Sequence, residues 1–417
     1  MLREANRPGN IEVAIEYYDA AEQALFLGGR YPVQIANIAG RRIQIPIAEF
    51  LTYSLFYLKQ HQSRTHPNIA AVARKVDRAD AELSEWVQWD GNSLRVNDDS
   101  DSLDTSITRR LGDAVGMAVA NDIHGLNDAD WDFIEERPGR GGAMTLDWHV
   151  ASDGDQHIEV ETKGRVIADS AMLTGLTGAY NSIKAKKAAA AQPGYHRPAA
   201  LRYGTILAID KNPGSTMHCR LVDPDGSPSK SDPKASRLIN RLSWAINIVA
   251  IISRRSSFTV ALNNRLAALE KLDDPFGLSG VPLLKGDGTA MDLDPKRETS
   301  YSPFFQHRST VGGEPYGGVV TKFDKDHLLF FGLHEDWLSA LAKQDFTKVL
   351  SMSFKPGTMQ TKVHCVMSRR QFKQAKLKGR VPVSEGDSPS VSFVLPAVIH
   401  TSAAGMAFGL VSLPSIK

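Results

Sequence analysis

Hydrophobic and polar positions follow two periods along this chain, and the switches between them mark out its elements. From Asn10, the apolar residues Ile11, Ile15, Tyr18, Ala21 and Leu25 recur three or four apart. That spacing predicts a helix capped by Asn10 and ended by Gly28-Gly29. Residues 33–38 and 42–47 predict two strands around Ala39-Gly40, the second with Ile43, Ile45 and Ile47 alternating. A helix is expected over about 48–60, and 91–105, rich in Asn, Asp and Ser, reads as a loop or linker. A second helix signal covers about 104–122. Its Ile107, Leu111, Val115 and Ala118 share one face, while Gly112, Gly116 and Ala120 form a small-residue stripe suited to close packing.

A glycine-rich loop at 137–142 precedes two short predicted strands, 144–150 and 157–163, with Asp153-Gly154 as the hairpin-turn signal between them. An Ala- and Lys-rich helix over about 171–192 is stopped by Pro193-Gly194. Residues 203–209 read as a buried strand with 217–222 as its neighbour, and 237–272 as largely helical. The region 328–333 reads as a strand, and 391–413 as two apolar strands. The expected fold class is therefore α/β, with a mixed sheet at its centre. Four stretches are expected: an N-terminal α/β segment (1–100), a core with its following helices (101–272), a Pro/Gly-rich boundary (273–318) and a basic C-terminal α/β segment (319–417).

Composition narrows the class. A chain of 417 residues suggests two or three compact units. With 42% hydrophobic and 23% charged residues, disordered and collagen-like chains are excluded. Two cysteines, Cys219 and Cys365, leave no disulfide framework and no cysteine-rich zinc site. The first ten residues lack an apolar signal core, residues 244–252 are too short to span a bilayer, and Pro389, Pro396 and His400 interrupt the apolar tail. The expectation is a cytoplasmic protein with no membrane partner.

Global charge is +2, but its signs are segregated. Between Asp77 and Asp104 nine acids face two arginines, whereas 346–384 carries nine Lys and Arg and no acid. Such a block reads as a solvated face or, as the leading functional alternative, a nucleic-acid surface.

The chemistry concentrates in Leu146-Asp147-Trp148 and in Glu159-Val160-Glu161-Thr162-Lys163. Phosphodiester hydrolysis needs a divalent ion held by carboxylates and a group that orients water. On a strand, Glu161 and Lys163 project from one face, and Val160 and Thr162 from the other. A three-residue loop centred on Gly154 would set Asp147 opposite Glu161; a two-residue loop would shift the pairing by one. Two further acid-x-Lys triplets, Asp232–Lys234 and Asp294–Lys296, have a central proline in loop-like sequence. The alternative for Glu161–Lys163 is a surface hairpin with ordinary charges.

This segment resembles the PD-(D/E)XK, or restriction-endonuclease-like, nuclease superfamily over about residues 104–226. The matching residues are Asp147, Glu161 and Lys163, in the order helix, loop, D-bearing strand, E-x-K strand, helix, strand. Leu146 stands where the family usually has proline. The resemblance implies that Asp147 and Glu161 bind Mg2+ or Mn2+, with the Thr162 carbonyl as a further ligand. It implies that Lys163 positions or activates the attacking water and offsets transition-state charge. It makes Asp113 the candidate acid of the preceding helix, which otherwise reads as an exposed helix acid. Glu159 reads as a supporting acid or simply as the outer residue of the strand.

Arg137 and Arg140 flank glycines before Asp147, where a loop would meet a phosphate backbone or form a plain surface turn. Lys184, Lys186 and Lys187 would contact phosphates, although solubility of an alanine-rich helix explains them better. Arg369, Arg370, Lys373, Lys376, Lys378 and Arg380 would add salt-dependent affinity for nucleic acid. Phe372 among them reads as a core anchor. His334-Glu335 lacks a second histidine four residues on, and no P-loop or G-x-S-x-G elbow occurs. The Asp-rich run at 286–294 reads as a loop. The expected function is Mg2+-dependent hydrolysis of DNA, with a restriction or anti-phage role suggested by analogy of fold. DNA is the expected partner, with RNA left open, and a homodimer or partner protein would allow double-strand cleavage. The alternatives are a non-catalytic nucleic-acid-binding protein of the same fold and a scaffold subunit.

Overall fold

Alternation of Ile11, Val13 and Ile15 with Glu12, Ala14 and Glu16 makes the first element a strand, β1 (Asn10–Tyr17), whose apolar side is fully buried. The computed structural model describes residues 1–4, 7–29, 31–56, 68–97, 105–133, 149–190, 201–225, 232–292, 294, 301, 304–374, 377, 381 and 390–414. The chain divides into two compact units, one of Met1, Arg3–Arg64 and Ala79–Asn240, the other of Leu2, Thr65–Arg78 and Arg241–Lys417.

In the first unit β1 is followed by α1 (Ala20–Gly28), α2 (Pro32–Ile38), β2 (Arg42–Pro46) and α3 (Ile47–Leu51), which runs into a π-helical turn at Thr52–Phe56. The helix expected from Asn10 is therefore a strand followed by a helix. Asp19 is the true cap, its carboxylate accepting from the Glu22 amide at 2.9 Å. The strand expected at 33–38 is α2, with Pro32 in its first turn and Ile35 as its buried residue. Next come α4 (Ile69–Trp86), which belongs to this unit from Ala79 on, and the hairpin of β3 (Val87–Asp90) and β4 (Ser93–Val96), whose second strand lies in the stretch read as loop.

The remainder of this unit is α5 (Thr105–His124), β5 (Trp131–Phe133), β6 (His149–Ser152), β7 (His157–Val166), α6 (Thr177–Ala190), β8 (Leu201–Ile209), β9 (Met217–Asp225) and the start of α7 (Pro233–Ser253). One seven-stranded mixed sheet holds the unit, in the order β2-β1-β9-β8-β7-β6-β5. Strands β5, β6 and β7 form an antiparallel meander, and β8 lies parallel to β7 after the α6 connection. The expected boundary at residue 100 falls inside this unit, because β1 pairs with β9. Every residue of β8 is buried, as a strand covered on both faces requires.

Helix α5 covers one face of the sheet by backbone-to-backbone approach. A Cβ on Gly112 would lie 2.4 Å from the Gly164 nitrogen, and one on Gly116 2.3 Å from Thr205 Oγ1. The small-residue stripe thus serves the close packing its spacing predicts. Helix α6 covers the opposite face through Leu176, Ala179 and Ile183, packed with Tyr18, Ile206, Ala208 and Val222.

The second unit contains α8 (Ser257–Leu269), a 3-10 turn at Pro275–Leu278 and a closed six-stranded barrel. Its elements are β10 (His307–Val311), β11 (Glu314–Lys322), β12 (His327–His334), α9 (Glu335–Lys343), α10 (Phe346–Ser351), β13 (Gly357–Ser368), α11 (Arg369–Gln374), β14 (Ser390–Thr401) and β15 (Met406–Ser412). They close in the order β10-β11-β12-β15-β14-β13. The region 273–318, expected as a boundary, supplies β10 and the start of β11, because the alternate residues His307, Ser309 and Val311 turn into the barrel. Closure removes the free edges that the two apolar C-terminal strands would otherwise expose. Among the described residues no helix is long and apolar enough to cross a membrane.

Candidate functional site

Strand β7 carries the E-x-K triplet, and its alternation assigns neighbouring residues to different helices. Thr162 points to the α5 side, where its hydroxyl donates to Asp113 Oδ1. His149 on β6 joins them, with Nε2 at 3.7 Å from the same Asp113 oxygen. Glu161 points to the α6 side. Its Oε1 accepts from Lys163 Nζ two residues on, and from Lys186 Nζ of α6 at 2.9 Å. Glu161 is fully buried and Lys186 is 7% exposed.

The structure therefore brings Glu161 and Lys163 together, as expected, and brings Asp113 to Thr162 and His149 instead. The cause is the pleat: residues one apart on a strand project from opposite faces. Asp113 is also buried rather than exposed. Asp147 lies outside the described residues, as do Arg137 and Arg140.

The hairpin register is visible from β6 onward. Ser152 pairs with His157 and His149 with Val160, so four residues, 153–156, form the loop. Asp153 shapes it by accepting from the amides of Asp155 and Gln156, both at 2.8 Å, while Gly154 takes a φ of +103°. This register is one residue away from that of a three-residue loop, which would have set His149 opposite Glu159.

Further charged pairs line the α6 side of the sheet. Glu159, fully buried, receives Arg202 Nε at 2.6 Å. Lys187 donates to Asp223 Oδ1 at 2.9 Å. Lys184 donates to the Tyr180 hydroxyl at 3.1 Å and lies 3.7 Å from Glu22 Oε1; the Tyr180 bond raises its pKa. Three lysines of α6 thus meet carboxylates from α1, β7 and β9. Lys184 and Lys187 tie the helix to its own unit. Lys186 was open to detection as a partner of the sheet. It continues the 3-4-3 spacing of the buried residues Leu176, Ala179 and Ile183. His149, Arg202 and Glu22 carry no such signal, because their roles depend on strand pairing across the sheet.

In the second unit Arg369, Arg370 and Lys373 are exposed at α11. Phe372 is buried against Phe393, ring centroids 5.8 Å apart, and serves as the expected anchor. Lys376, Lys378 and Arg380 lie outside the described residues. Burial pushes both thiols, Cys219 and Cys365, up to about 12, which leaves them as inert core groups.

Buried Glu161 offers the hard oxygen that Mg2+ or Mn2+ prefers, so the donor fits in kind. In number it needs company: among the described residues no group of three or more His, Cys, Asp or Glu is placed to hold a metal ion. Comparison with family models, curated proteins and solved structures gives no match to this chain.

Proposed function

We propose that the first unit is the core of a metal-dependent nuclease of the PD-(D/E)XK kind, acting on DNA in the cytoplasm. The observation that carries this reading is the Glu161–Lys163 pair, a buried carboxylate beside an ammonium on one face of β7. The surrounding order supports it. Helix α5, strand β5, strands β6 and β7, helix α6 and strand β8 contain the order helix, strand, E-x-K strand, helix, strand, with Asp147 ahead of β6 and outside the described residues. A Mg2+ or Mn2+ ion, when bound, would supply charge neutralisation and a more acidic water. Glu161, and Asp147 by resemblance, would hold it.

Lys163 does the rest of the work on this face. Its side chain is 17% exposed and its ammonium pairs with Glu161. There it would orient water and stabilise the extra negative charge on a pentavalent phosphate. The exposed Arg369, Arg370 and Lys373 would add sequence-independent affinity for the phosphate backbone. A restriction or anti-phage role follows only by analogy of fold. A single such site cuts one strand, so double-strand cleavage calls for two copies or successive nicks.

A second reading, a non-catalytic nucleic-acid-binding protein of the same fold, is favoured by one observation. Glu161 already faces two ammonium groups, and Asp113 serves the other face. Incubation with supercoiled plasmid, linear single-stranded DNA or RNA, in Mg2+, Mn2+ or EDTA, separates the two. The nuclease reading expects metal-dependent cleavage that Asp147→Ala and Lys163→Ala each reduce at least a hundredfold while binding is retained. Binding without cleavage, together with no Mn2+ binding by the wild-type protein, would overturn it in favour of the second reading.

A further inference from the structure

In the second unit, charge is sorted onto one face of the barrel. Strands β10, β13 and β14 are neighbours, and together with α11 they carry five Lys and Arg and no Asp or Glu. Their alternation turns Val363, Cys365, Phe393 and Leu395 into the core and the polar residues outward. Register sets Arg308, His364 and Val394 in one row across the three strands, with Lys362 and Pro396 paired in the next. All five are exposed. On the same face His364 Nε2 and Ser392 Oγ lie 2.7 Å apart. Beyond the end of β13, the exposed Arg369, Arg370 and Lys373 continue the charge onto α11. Among the described residues Lys362, Arg370 and Lys373 have no carboxylate partner. Grouping cations without intervening acids costs self-repulsion, which a bound polyanion relieves.

We propose that this face of the barrel binds single-stranded nucleic acid, its phosphate backbone running along β13 from Lys362 to α11. From Lys362 to Ser368 the strand spans about 20 Å, the length of several nucleotides. The outer face of a closed barrel is convex, so a rigid duplex would touch few of these cations at once. A flexible strand can follow them. Arg308 adds a stacking surface: its guanidinium lies over the Phe305 ring at 4.9 Å and pairs with Glu335 at 3.4 Å. Both contacts fix the planar group on which a base can stack. His364 and Ser392 supply hydrogen bonds to phosphate or base edges between the cations. Other partners fit less well. Closure pairs every strand on both sides, so no edge is open to a peptide strand. Val394 stands among polar neighbours, which is no face for insertion into a membrane. Such a path extends beyond the three cations of α11, and it requires neither a metal ion nor cleavage by the first unit.

Fluorescence anisotropy of labelled single-stranded DNA and RNA, titrated with the full-length protein in EDTA, tests this without any cleavage. Lys362→Gln, Arg370→Gln and Lys373→Gln, combined in one variant, remove charge from the face without touching the core. Arg254→Gln, Arg255→Gln and Lys271→Gln, combined in another, remove the same charge from exposed positions elsewhere in this unit. The first variant should bind at least about tenfold more weakly at about 0.1 M salt, with the slope of log affinity against log salt flatter by about 2. The second should stay within about twofold of wild type. A duplex of the same sequence should bind more weakly than the single strand. Equal losses in the two variants, tighter binding of the duplex, or capture by phosphatidylserine vesicles and not by either strand would each overturn the inference. Absence of binding by the wild-type protein in EDTA would overturn it as well. The nuclease reading would then still stand or fall on its own cleavage assay, because neither variant alters β7.

Discussion

Replacing Gly164 by alanine tests the packing that positions the E-x-K strand. The added Cβ would lie 1.8 Å from the Thr108 carbonyl oxygen of α5, about 1.6 Å short of ordinary contact. That oxygen belongs to helix backbone and cannot rotate away, so α5 and β7 must part. Overpacking against movable side chains typically costs about 1–3 kcal/mol. With backbone on both sides, about 3 kcal/mol or more is expected. Gly116→Ala is the graded comparison: its Cβ would meet the Thr205 hydroxyl at 2.3 Å and the Thr162 methyl at 2.8 Å. Side chains can yield in part, so about 1–2 kcal/mol is expected. Gly178→Ala, in α6 with nothing within 4 Å, should instead stabilise by about 0.5–1 kcal/mol. Because two units need not unfold together, global denaturation is a poor assay. Hydrogen exchange under mild urea, read on peptides from α5 and β7, isolates the affected unit. A Gly164→Ala protein within about 0.5 kcal/mol of wild type, or a reversed order of the three, would refute the backbone-to-backbone contact.

The buried ion pair and one histidine give two further expectations. Arg202→Met would leave the fully buried Glu159 without its guanidinium and should cost about 3–5 kcal/mol. Glu159→Gln combined with Arg202→Met should recover much of that loss, which exchange on β7 and β8 peptides would register. In the barrel, His307 Nδ1 accepts from the Val366 amide at 3.3 Å, and burial with His364 nearby lowers its pKa from 6.5 to about 4. The folded state thus keeps His307 neutral while the unfolded chain takes up a proton below about pH 6.5. Barrel stability should be full above pH 6.5 and fall by about 3 kcal/mol as pH drops to about 4. His307→Asn retains an acceptor for Val366 and should flatten that slope in urea melts taken between pH 4 and 7.

Elements whose burial follows a local period were legible in the sequence. Helix α5 appears from Ile107, Leu111, Val115 and Ala118, and the strands β7, β8, β12, β14 and β15 from their apolar runs. The first strand escapes a helical reading only through Val13, because Ile11 and Ile15 satisfy a helical spacing as well as a strand one. Residues 33–38 are rich in β-branched side chains, yet Pro32 and the left-handed Tyr31 start a helix there. The barrel strands β10 and β11 hide in polar, glycine-rich sequence, since their burial comes from closure rather than composition.

The same distinction governs the candidate site. That Glu161 and Lys163 share a face follows from the pleat alone, and any regular strand would give it. What surrounds them depends on which helix covers which face, and that is fixed by glycines elsewhere. Gly112 and Gly116 draw α5 against the Thr162 and Gly164 side of β7. Helix α6 then takes the Glu161 side, bringing Lys186 with it, while Gly204 of β8 leaves room for Ile183. Asp113 consequently meets Thr162 and His149, and a carboxylate on α5 cannot serve Glu161 through the intervening sheet. On the metal-dependent reading proposed above, further oxygen ligands beside Glu161 would have to come from the strands or from a bound nucleic acid, and not from Asp113. The surroundings of Glu161 are thus set by packing first and by the triplet second, which is why its helix contact is Lys186 of α6 and not Asp113 of α5.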